Sequence, residues 1–386
     1  MRLAAGFLAD PGLQAVLAAL EGAGHRGLLV GGAVRDGLLG RRVTDIDIAT
    51  DARPEAVLAL AGAAGLRAVP TGLAHGTVTL IADDTPFEVT TFRRDVETDG
   101  RHATVAFTGA LAEDAARRDF TMNALYADAR GQVLDPLGQG LADLRAGRLR
   151  FVGDPQARIA EDYLRILRFF RFHAHYGRPG QVDGPALAAC AAGREGLARI
   201  SAERIGTEMR KLLSAPDPSE SLVLMAQAGV LAQVLPGAQA QILPRLVAAE
   251  AAAGAAPDWR RRLLALAAPE AASRLRLSRA EAAHLNHLAQ ARGLGPAAAA
   301  YHFGPETARD GVLLAQAIGC TPPPDWPARI AAVKPLPIKP ADLAPLAGPA
   351  LGAGLRRAEA AWIESGFRAR PAALIATALE SGAGKA

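Results

Sequence analysis

The sequence has few cysteines and no long apolar run. These two absences argue against a disulfide-rich protein and against a membrane-spanning one. No apolar run approaches the roughly 20 residues needed to span a bilayer. The first stretch, MRLAAGFLADPG, has no credible signal-peptide core because Asp10-Pro11 interrupts it. Cys190 and Cys320 are far apart and lack metal-ligand or redox spacing. We therefore expect a cytoplasmic protein with no membrane partner.

Lysine is also scarce, so the basic character of the chain comes from arginine. The chain has 43 lysines and arginines and a formal net charge of +4, and its pI is about 9.4. Lysine occurs only at Lys211, Lys334, Lys339 and Lys385. Arginine binds phosphate groups bidentately, which favours a phosphate-bearing partner. A genomic bias toward arginine and alanine explains the composition equally well, so charge alone leaves both interpretations open.

The length and the hydrophobic pattern predict an α/β head followed by helices. A chain of 386 residues is too long for one ordinary core. In the first 147 residues or so, Asp10-Pro11 opens a helix, LLVGG is a short buried strand, and AVRDGLLG is a short helix. GTVTLIADDTPFEVTTF predicts a hairpin. In the next segment, RRDVETDGRHATVAF, Gly100 and the mixed charges suggest flexibility. After residue 155 strand patterns stop and only helical patterns remain.

Two aspartates lie one residue apart in a stretch that predicts a buried strand. VTDIDIAT, residues 43–50, places Asp45 and Asp47 among β-branched and apolar residues. Side chains alternate between the faces of a strand, so both aspartates point the same way while Ile46 and Ile48 face the core. Two like charges on one face repel unless a cation lies between them. The pattern therefore predicts a metal site.

A pair of glycines precedes these aspartates. Gly31 and Gly32 let backbone N–H groups approach an anion at the start of the helix that carries Arg35. Only 12 residues separate Gly32 from Asp45. Mg²⁺ prefers one or two carboxylates plus substrate phosphates. The spacing therefore predicts a phosphate cradle beside a Mg²⁺ site held by Asp45 and Asp47.

The second strand of the hairpin carries a third candidate carboxylate. Glu88 lies between Phe87 and Val89 in FEVTTFR, so its side chain points to the opposite face from theirs. It could supply a third carboxylate to the metal site and act in catalysis. An exposed strand acid without a function is the alternative interpretation.

The stretch RRDFTMNALYAD combines charged and amide side chains around a short helix. Arg118 and Asp119 precede the helix, and Asn123 lies four residues after Asp119. A basic pair before an apolar helix is sometimes only a surface. Together, however, these three side chains offer donors and acceptors suited to a triphosphate and to ribose hydroxyls.

A long predicted helix over ARIAEDYLRILRFFRFHAHYG carries a charged stripe. The stripe has spacings of four, three and three and consists of Arg158, Asp162, Arg165 and Arg168. Such a stripe is commonly a solvated face with an internal salt bridge. Here the adjoining phenylalanines make the helix apolar nearly all round. We therefore expect the charged stripe to face a cleft.

These motifs, in this order, resemble a known family. LVGGAVRD…DIDIAT, RRDFTMNAL and EDYLRILR are similar to those of the class II tRNA nucleotidyltransferases (CCA-adding enzymes) and bacterial poly(A) polymerases, over about the first 175 residues. RISAERIGTEMRKLL is similar to the family's next helical element, and AEAAWIESGF more weakly to the tail of some members. The linked phosphohydrolase domain of certain relatives is not expected, because the sequence has no His-Asp dipeptide.

The resemblance implies an α+β fold with a polymerase-β-like palm, the head, followed by an all-α neck, body and tail. The implied domains are a nucleotidyltransferase head over 1–147, a helical neck over 148–225, and a tRNA-binding body and tail over 226–386. By similarity, Asp45 and Asp47 hold Mg²⁺, and Gly32 and Arg35 bind the triphosphate. The other implied nucleotide-binding residues are Arg118, Asp119, Asn123, Asp162, Arg165 and Arg168.

The resemblance also implies a reaction, addition of CCA from CTP and ATP to the 3′ end of tRNA by two-metal phosphoryl transfer with release of pyrophosphate. Cytosine and adenine both present an amino donor beside a ring-nitrogen acceptor, whereas uracil and guanine present a carbonyl beside an N–H. Asp162 and Arg165, one helical turn apart, suit the first pattern and mismatch the second. No protein partner can be inferred.

Other functions remain open at this point. The same motifs are common to poly(A) polymerases and to enzymes that add only CC or only A. A tRNA-binding protein with a decayed active site is less favoured, because Asp45, Asp47, Asp162 and Arg165 are all present. A small-molecule nucleotidyltransferase is disfavoured by the long helical region and its basic bias.

Overall fold

The computed structural model describes residues 1–4, 6–99 and 102–380. The chain forms two compact units. The first comprises residues 1–212 and 220–234, and the second comprises residues 213–219 and 235–386. The predicted flexible position Gly100 lies outside the described residues. The predicted division at residues 147 and 225 stays a prediction.

The first unit contains a mixed seven-stranded sheet and a separate two-stranded hairpin. The sheet has the order β3-β4-β5-β2-β1-β8-β9. Only β2 and β5 run parallel among its pairs, and all other pairs are antiparallel. The strands are β1 Gly27–Val30, β2 Asp47–Thr50, β3 Arg67–Gly72, β4 Thr77–Ala82, β5 Thr85–Thr91, β6 Arg93–Asp99, β7 His102–Phe107, β8 Tyr126–Ala127 and β9 Val133–Leu134. β6 and β7 form the hairpin.

Local sequence explains how the head elements begin and turn. Asp10 caps the first helix, since its carboxylate accepts a hydrogen bond from the N–H of Leu13 at 2.8 Å, and Pro11 occupies the first helical position. β4 and β5 are joined by Asp83 and Asp84, both with positive φ, as a two-residue hairpin turn requires. The predicted first helix and the predicted hairpin are therefore confirmed.

The helices found mostly in the first unit pack through buried side chains. In α7 (Leu164–Tyr176), for example, Ile166, Phe169, Phe170 and His173 are all buried. These helices are α1 Pro11–Gly22, α2 Gly32–Leu38, α3 Pro54–Ala63, α4 Leu111–Ala116, α5 Gly140–Ala146, α6 Pro155–Glu161, α7 Leu164–Tyr176, α8 Gly184–Gly193, α9 Ala202–Leu213, α10 Ser219–Gln227 and α11 Val230–Val234.

The second unit is built from helices in the part that the structure describes. They are α12 Leu243–Ala252, α13 Trp259–Ala265, α14 Ala271–Arg274, α15 Arg279–Arg292, α16 Pro296–Phe303, α17 Pro305–Ala317, α18 Trp326–Ala331, α19 Gly348–Glu364 and α20 Pro371–Leu379. One apolar cluster joins α19 and α20 through Trp362, Phe367 and Leu374. No helix in the described ranges is long and apolar enough to cross a membrane.

A buried ion cluster ties three helices of the second unit together. Arg261 and Arg262 of α13 are each 1% exposed, and both bind Glu250 of α12. Arg261 also binds Asp310 of α17 at 2.6 Å. Arg262 donates to the carbonyl of Leu213 at 2.8 Å. Buried charges are stable only when they are paired and hydrogen-bonded, as these are.

The structure corrects two sequence-based expectations. β2 begins at Asp47, so Asp45 precedes the strand instead of lying in it. The predicted long helix is interrupted, because α6 ends at Glu161 and α7 begins at Leu164. Asp162 is extended at the break, and its carboxylate accepts from the N–H of Leu164 at 3.0 Å. A short acidic side chain that bonds the backbone in this way competes with helix continuation.

Candidate active site

The glycine turn after β1 brings backbone close to a guanidinium group. Gly31 has φ 64° and ψ −119°, which a residue with a side chain rarely adopts. A Cβ atom added to Gly31 would lie 3.5 Å from Nη1 of Arg118. The chain then enters α2 at Gly32. Glycine is therefore needed here for the backbone conformation.

Three carboxylates line a cleft of about 550 Å³ beside the central strands β2, β5 and β4 of the sheet. The parallel pairing of β2 with β5 sets Asp47 opposite Glu88. Phe87 and Val89 are buried while Glu88 is exposed, as their alternation predicts. The polar residues lining the cleft are Thr44, Asp45, Asp47, Thr79, Thr85 and Glu88. Asp45 thus reaches the same cleft from the segment that precedes β2.

Negative charge is crowded at Asp47. Desolvation by the surrounding protein raises its pKa, and the charges of Glu88 and Asp45 raise it further, while Arg118 lowers it. An acid with a raised pKa is destabilised in its charged form. A cation placed among these carboxylates would remove that cost.

The carboxylates fit a divalent cation that shares its coordination with a substrate. Within the described part of the chain, no group of three or more carboxylate, histidine or cysteine side chains is arranged to hold a metal ion by itself. Mg²⁺ takes one or two carboxylates plus substrate phosphates more readily than a full protein cage. The repulsion among Asp45, Asp47 and Glu88 is consistent with such a site.

Arg118 is held beside this cleft by two buried oxygen atoms. Its Nε donates to the hydroxyl of Tyr126 at 3.0 Å, and its Nη2 donates to Asp114 at 3.1 Å. The Tyr126 hydroxyl donates to the same Asp114 oxygen at 2.7 Å. Burial alone would lower the pKa of Arg118, but Tyr126 and Asp114 raise it. Arg118 therefore carries a fixed positive charge.

A chain of hydrogen bonds runs from α2 to α7. Nη1 of Arg35 donates to the Oδ1 of Asn123 at 2.6 Å, and the amide nitrogen of Asn123 donates to Asp119 at 2.9 Å. Nε of Arg168 donates to the other oxygen of Asp119 at 2.9 Å. Burial would raise the pKa of Asp119, but the charge of Arg168 and the hydrogen bonds around it lower the pKa to about 2. The structure thus brings together four residues predicted from three separate motifs.

Arg35 is more enclosed than the sequence suggests. It is 7% exposed, and Asp36 accepts from its Nε and Nη2 at 3.0 and 2.8 Å. Nη2 also donates to the hydroxyl of Tyr176 at 2.7 Å. The guanidinium lies 4.1 Å from the centre of the Tyr176 ring and 5.1 Å from that of Phe172. A phosphate group would compete with these partners for Arg35.

The break between α6 and α7 sets the positions of Asp162 and Arg165. The second carboxylate oxygen of Asp162 accepts from Arg204 of α9 at 2.7 Å. Arg165 donates to the carbonyl of Arg158 at 2.7 Å and also pairs with Glu161. Asp162 and Arg165 are therefore each paired with a different neighbour.

Several residues of this site were missed by the sequence reasoning. They contact the predicted residues and are Asp36, Asp114, Tyr126, Glu161, Tyr176 and Arg204. Asp36 and Glu161 adjoin the predicted residues Arg35 and Asp162 in the sequence. Only Tyr176 and Arg204 reach their partners from distant segments, which spacing alone would not reveal.

Two family models match this chain, one over the head and one over the helices beyond it. Residues 28–150 match the poly A polymerase head domain. Residues 182–242 match the probable RNA and SrmB-binding site of polymerase A. The chain is thus similar to this polymerase family over its head and over the helices that follow. The predicted resemblance and the predicted fold class, a mixed-sheet nucleotidyltransferase head followed by helices, are therefore confirmed.

Curated relatives in this family are similar over about half of their length. The mitochondrial CCA tRNA nucleotidyltransferase 1 of Danio rerio is 45% identical over 207 residues, which are 52% of this chain and 47% of the relative. A CCA-adding enzyme of Geobacillus thermodenitrificans is 43% identical over 216 residues, 55% of this chain and 52% of the relative. The chain thus spans about half the length of the curated relatives it matches.

Solved structures of family members match over nearly the whole chain. The Bacillus stearothermophilus CCA-adding enzyme in complex with CTP is 28% identical with a TM-score of 0.67, covering 92% of each chain. The Thermotoga maritima CCA-adding enzyme complexed with tRNA has a TM-score of 0.70 over 98% of each chain, at 18% identity. The second similarity concerns the fold alone.

Proposed function

We propose that this chain is a tRNA nucleotidyltransferase that adds CMP and AMP, from CTP and ATP, to the 3′ end of tRNA without a nucleic-acid template. The observation that carries the proposal is the continuous network from Arg35 through Asn123 and Asp119 to Arg168. It joins the glycine turn, which suits phosphate, to the helix that carries Arg165. Relatives named for CCA addition, one of them bound to CTP, support the same proposal.

We assign one role to each of the predicted domains. The head over 1–147 would carry out the chemistry, the neck over 148–225 would select the base, and the body and tail over 226–386 would bind tRNA. Two free cysteines fit a reducing compartment, for which we propose the cytoplasm.

The cofactor in this proposal is Mg²⁺, held by Asp45 and Asp47 with Glu88 beside them. When bound, such ions lower the pKa of the attacking hydroxyl and neutralise the leaving pyrophosphate. The bond that forms joins the RNA 3′-oxygen to the α-phosphorus, and the bond that breaks releases pyrophosphate. Glu88 would add a third carboxylate beside Asp47, and the repulsion between the two would favour binding of a cation.

The residues of the head would hold the nucleotide in place. Gly31 and Gly32 give its phosphates access to the backbone, and Arg118 and Arg35 supply positive charge. Asp119 and Asn123 would fix the ribose and keep Arg168 and Arg35 in register. Because these partners are already hydrogen-bonded to one another, little reorganisation is needed when the nucleotide binds.

The side chains of Asp162 and Arg165 would select the base. A carboxylate accepts from the amino group shared by cytosine and adenine, and a guanidinium donates to the adjoining ring nitrogen. Uracil and guanine would leave these groups unpaired, at about 1–3 kcal/mol for each buried group. Glu161 and Arg204 hold the two side chains before a base arrives.

The decisive experiment uses the purified chain with tRNA transcripts that end before, within or at CCA, and each nucleoside triphosphate separately. We expect CMP on transcripts that lack one or both C nucleotides of CCA, and AMP only on those ending in CC. Repeated AMP addition to any RNA would instead indicate a poly(A) polymerase, which the matched head-domain model also includes. Tight tRNA binding without any addition would indicate a protein with a decayed site.

We also predict that tRNA affinity falls steeply with salt. Exposed arginines in the second unit, such as Arg356, Arg368 and Arg370, are available to contact phosphates. Neutralising even two or three phosphates predicts about a tenfold loss of affinity between roughly 50 and 200 mM NaCl. Filter binding of labelled tRNA measures this. A flat response would instead favour a small-molecule substrate.

A further inference from the structure

Two of the three guanidinium nitrogens of Arg118 are hydrogen-bonded to side chains that were not predicted from the sequence. Nε is bound to the hydroxyl of Tyr126 and Nη2 to the carboxylate of Asp114. Because Tyr126 also donates to Asp114, the three side chains form a closed triangle of hydrogen bonds. Such a triangle restricts the guanidinium both in position and in rotation.

The two groups that hold Arg118 are completely enclosed. Asp114 of α4 is 1% exposed and Tyr126 of β8 is 0% exposed. Asp114 also accepts from Nε of Arg117 at 2.8 Å. Burial would raise its pKa, but Arg118 and Arg117 lower it, so the carboxylate stays charged. The triangle is therefore a rigid part of the head.

The remaining nitrogen of Arg118 faces the proposed nucleotide site. Nη1 has no hydrogen-bond partner within the residues that the structure describes, and it lies 3.5 Å from the Cβ position of Gly31. The glycine turn is where the phosphates of the nucleotide are proposed to bind. The free edge of Arg118 therefore faces the position proposed for these phosphates.

We propose that Asp114 and Tyr126 are positioning residues that orient Arg118 so that Nη1 meets a phosphate of the incoming nucleotide. The inference rests on the proposed function, because it requires that the site binds a nucleoside triphosphate. An arginine side chain loses rotamer entropy when it is ordered. The triangle removes that freedom during folding, so it need not be lost when the nucleotide binds.

The test is CTP binding in Mg²⁺ without RNA, measured by calorimetry, since no transfer occurs without an acceptor. We expect Asp114→Asn and Tyr126→Phe each to weaken CTP binding by roughly threefold to tenfold, within the usual range of coupled contacts. Tyr126→Phe keeps the buried ring, so it provides the measurement if Asp114→Asn does not fold. Arg118→Ala alone should weaken CTP binding at least as much as either variant.

A double-mutant cycle distinguishes positioning from a general effect on stability. In the Arg118→Ala background, Asp114→Asn and Tyr126→Phe should have no further effect on CTP affinity. The matched control is Asp143→Asn, because Asp143 is also a buried acceptor, 3% exposed and bonded to Thr121 at 2.7 Å. It should lower the melting temperature and leave CTP affinity unchanged.

Three outcomes would overturn the inference. They are unchanged CTP affinity in both single variants, equal losses with and without Arg118, and absence of nucleotide binding in the wild-type protein. Failure of the proposed function looks different. A wild-type protein that binds CTP but transfers no CMP to tRNA would refute CCA addition, and the cycle would still measure whether Asp114 and Tyr126 act through Arg118.

Discussion

Replacing Asp47 by Asn is expected to abolish nucleotide addition while leaving the protein folded. The change removes one of the carboxylates that would hold Mg²⁺, which supplies several kcal/mol of transition-state stabilisation. Each 1.4 kcal/mol corresponds to a factor of ten in rate, so turnover should fall by at least about a thousandfold. Single-turnover CMP addition at saturating Mg²⁺ measures this. Near-normal turnover would refute the role assigned to Asp47.

The same variant should not destabilise the metal-free protein at neutral pH. Because the pKa of folded Asp47 is raised above its ordinary value, its charge costs stability above that value. Removing the charge should leave the melting temperature equal or slightly higher at pH 7. That difference should disappear as pH falls through the folded pKa, because wild-type Asp47 then becomes neutral. Thermal melts with EDTA across this pH range provide the measurement.

Asp51, just beyond the other end of the same strand, is a matched control. It binds Arg26 at 2.9 Å, and although burial alone would raise its pKa, hydrogen bonds from Arg26 lower it. An acid whose pKa is lowered by folding stabilises the folded state at pH values above its ordinary pKa. This stabilisation is lost as the pH falls through the folded pKa. Asp51→Asn should therefore lower the melting temperature at neutral pH and leave nucleotide addition unchanged. Asp47→Asn and Asp51→Asn are thus expected to change the melting temperature in opposite directions.

The parts of the fold that could be predicted are those that local patterns determine. Alternation placed Glu88 opposite buried Phe87 and Val89, and Asp10-Pro11 marked the start of α1. The glycine turn at Gly31 was also visible, because only glycine readily adopts its positive φ. Each of these features depends on residues within a few positions of one another.

The parts that could not be predicted depend on contacts between distant segments. Tyr176 binds Arg35 from 141 residues away, and Arg204 binds Asp162 from 42 residues away. The helix break at Asp162 was missed for a different reason. Leu164 to Phe170 continue the apolar period, so the sequence gives no sign that the Asp162 side chain bonds the backbone instead. The spacing of apolar residues does not show whether a side chain will bind a backbone N–H and so interrupt a helix.

This break bears on base selection, because it places Asp162 in an extended residue ahead of α7. Its carboxylate is anchored at both oxygens, by the N–H of Leu164 and by Arg204. Arg165 is anchored by Glu161 and by the carbonyl of Arg158. A base edge that approached them would meet two side chains of fixed orientation. Fixed orientation is what discrimination between hydrogen-bonding patterns requires.

Asp162→Ala and Arg165→Ala are therefore expected to lose selectivity for C and A over U and G. Selectivity should fall by roughly tenfold or more, since each unpaired buried group costs about 1–3 kcal/mol in the wild-type site. Binding of Mg²⁺ and of the triphosphate should persist, because Asp47 and Arg118 lie on other elements. The measurement is incorporation of all four nucleotides, one at a time, onto a tRNA primer.

Asp183→Ala is the matched control for Asp162→Ala. Asp183 caps α8 by accepting from the N–H of Ala186 at 3.0 Å, as Asp162 accepts from the N–H of Leu164. Asp183→Ala loses a helix cap, at about 1 kcal/mol of stability, and Asp162→Ala loses the comparable side-chain bond to the N–H of Leu164 at the start of α7. Only Asp162→Ala should change the ratio of C and A to U and G. If Asp162 served merely as a partner for Arg204, both variants would keep the wild-type ratio, and base selection would have to be sought elsewhere in the protein.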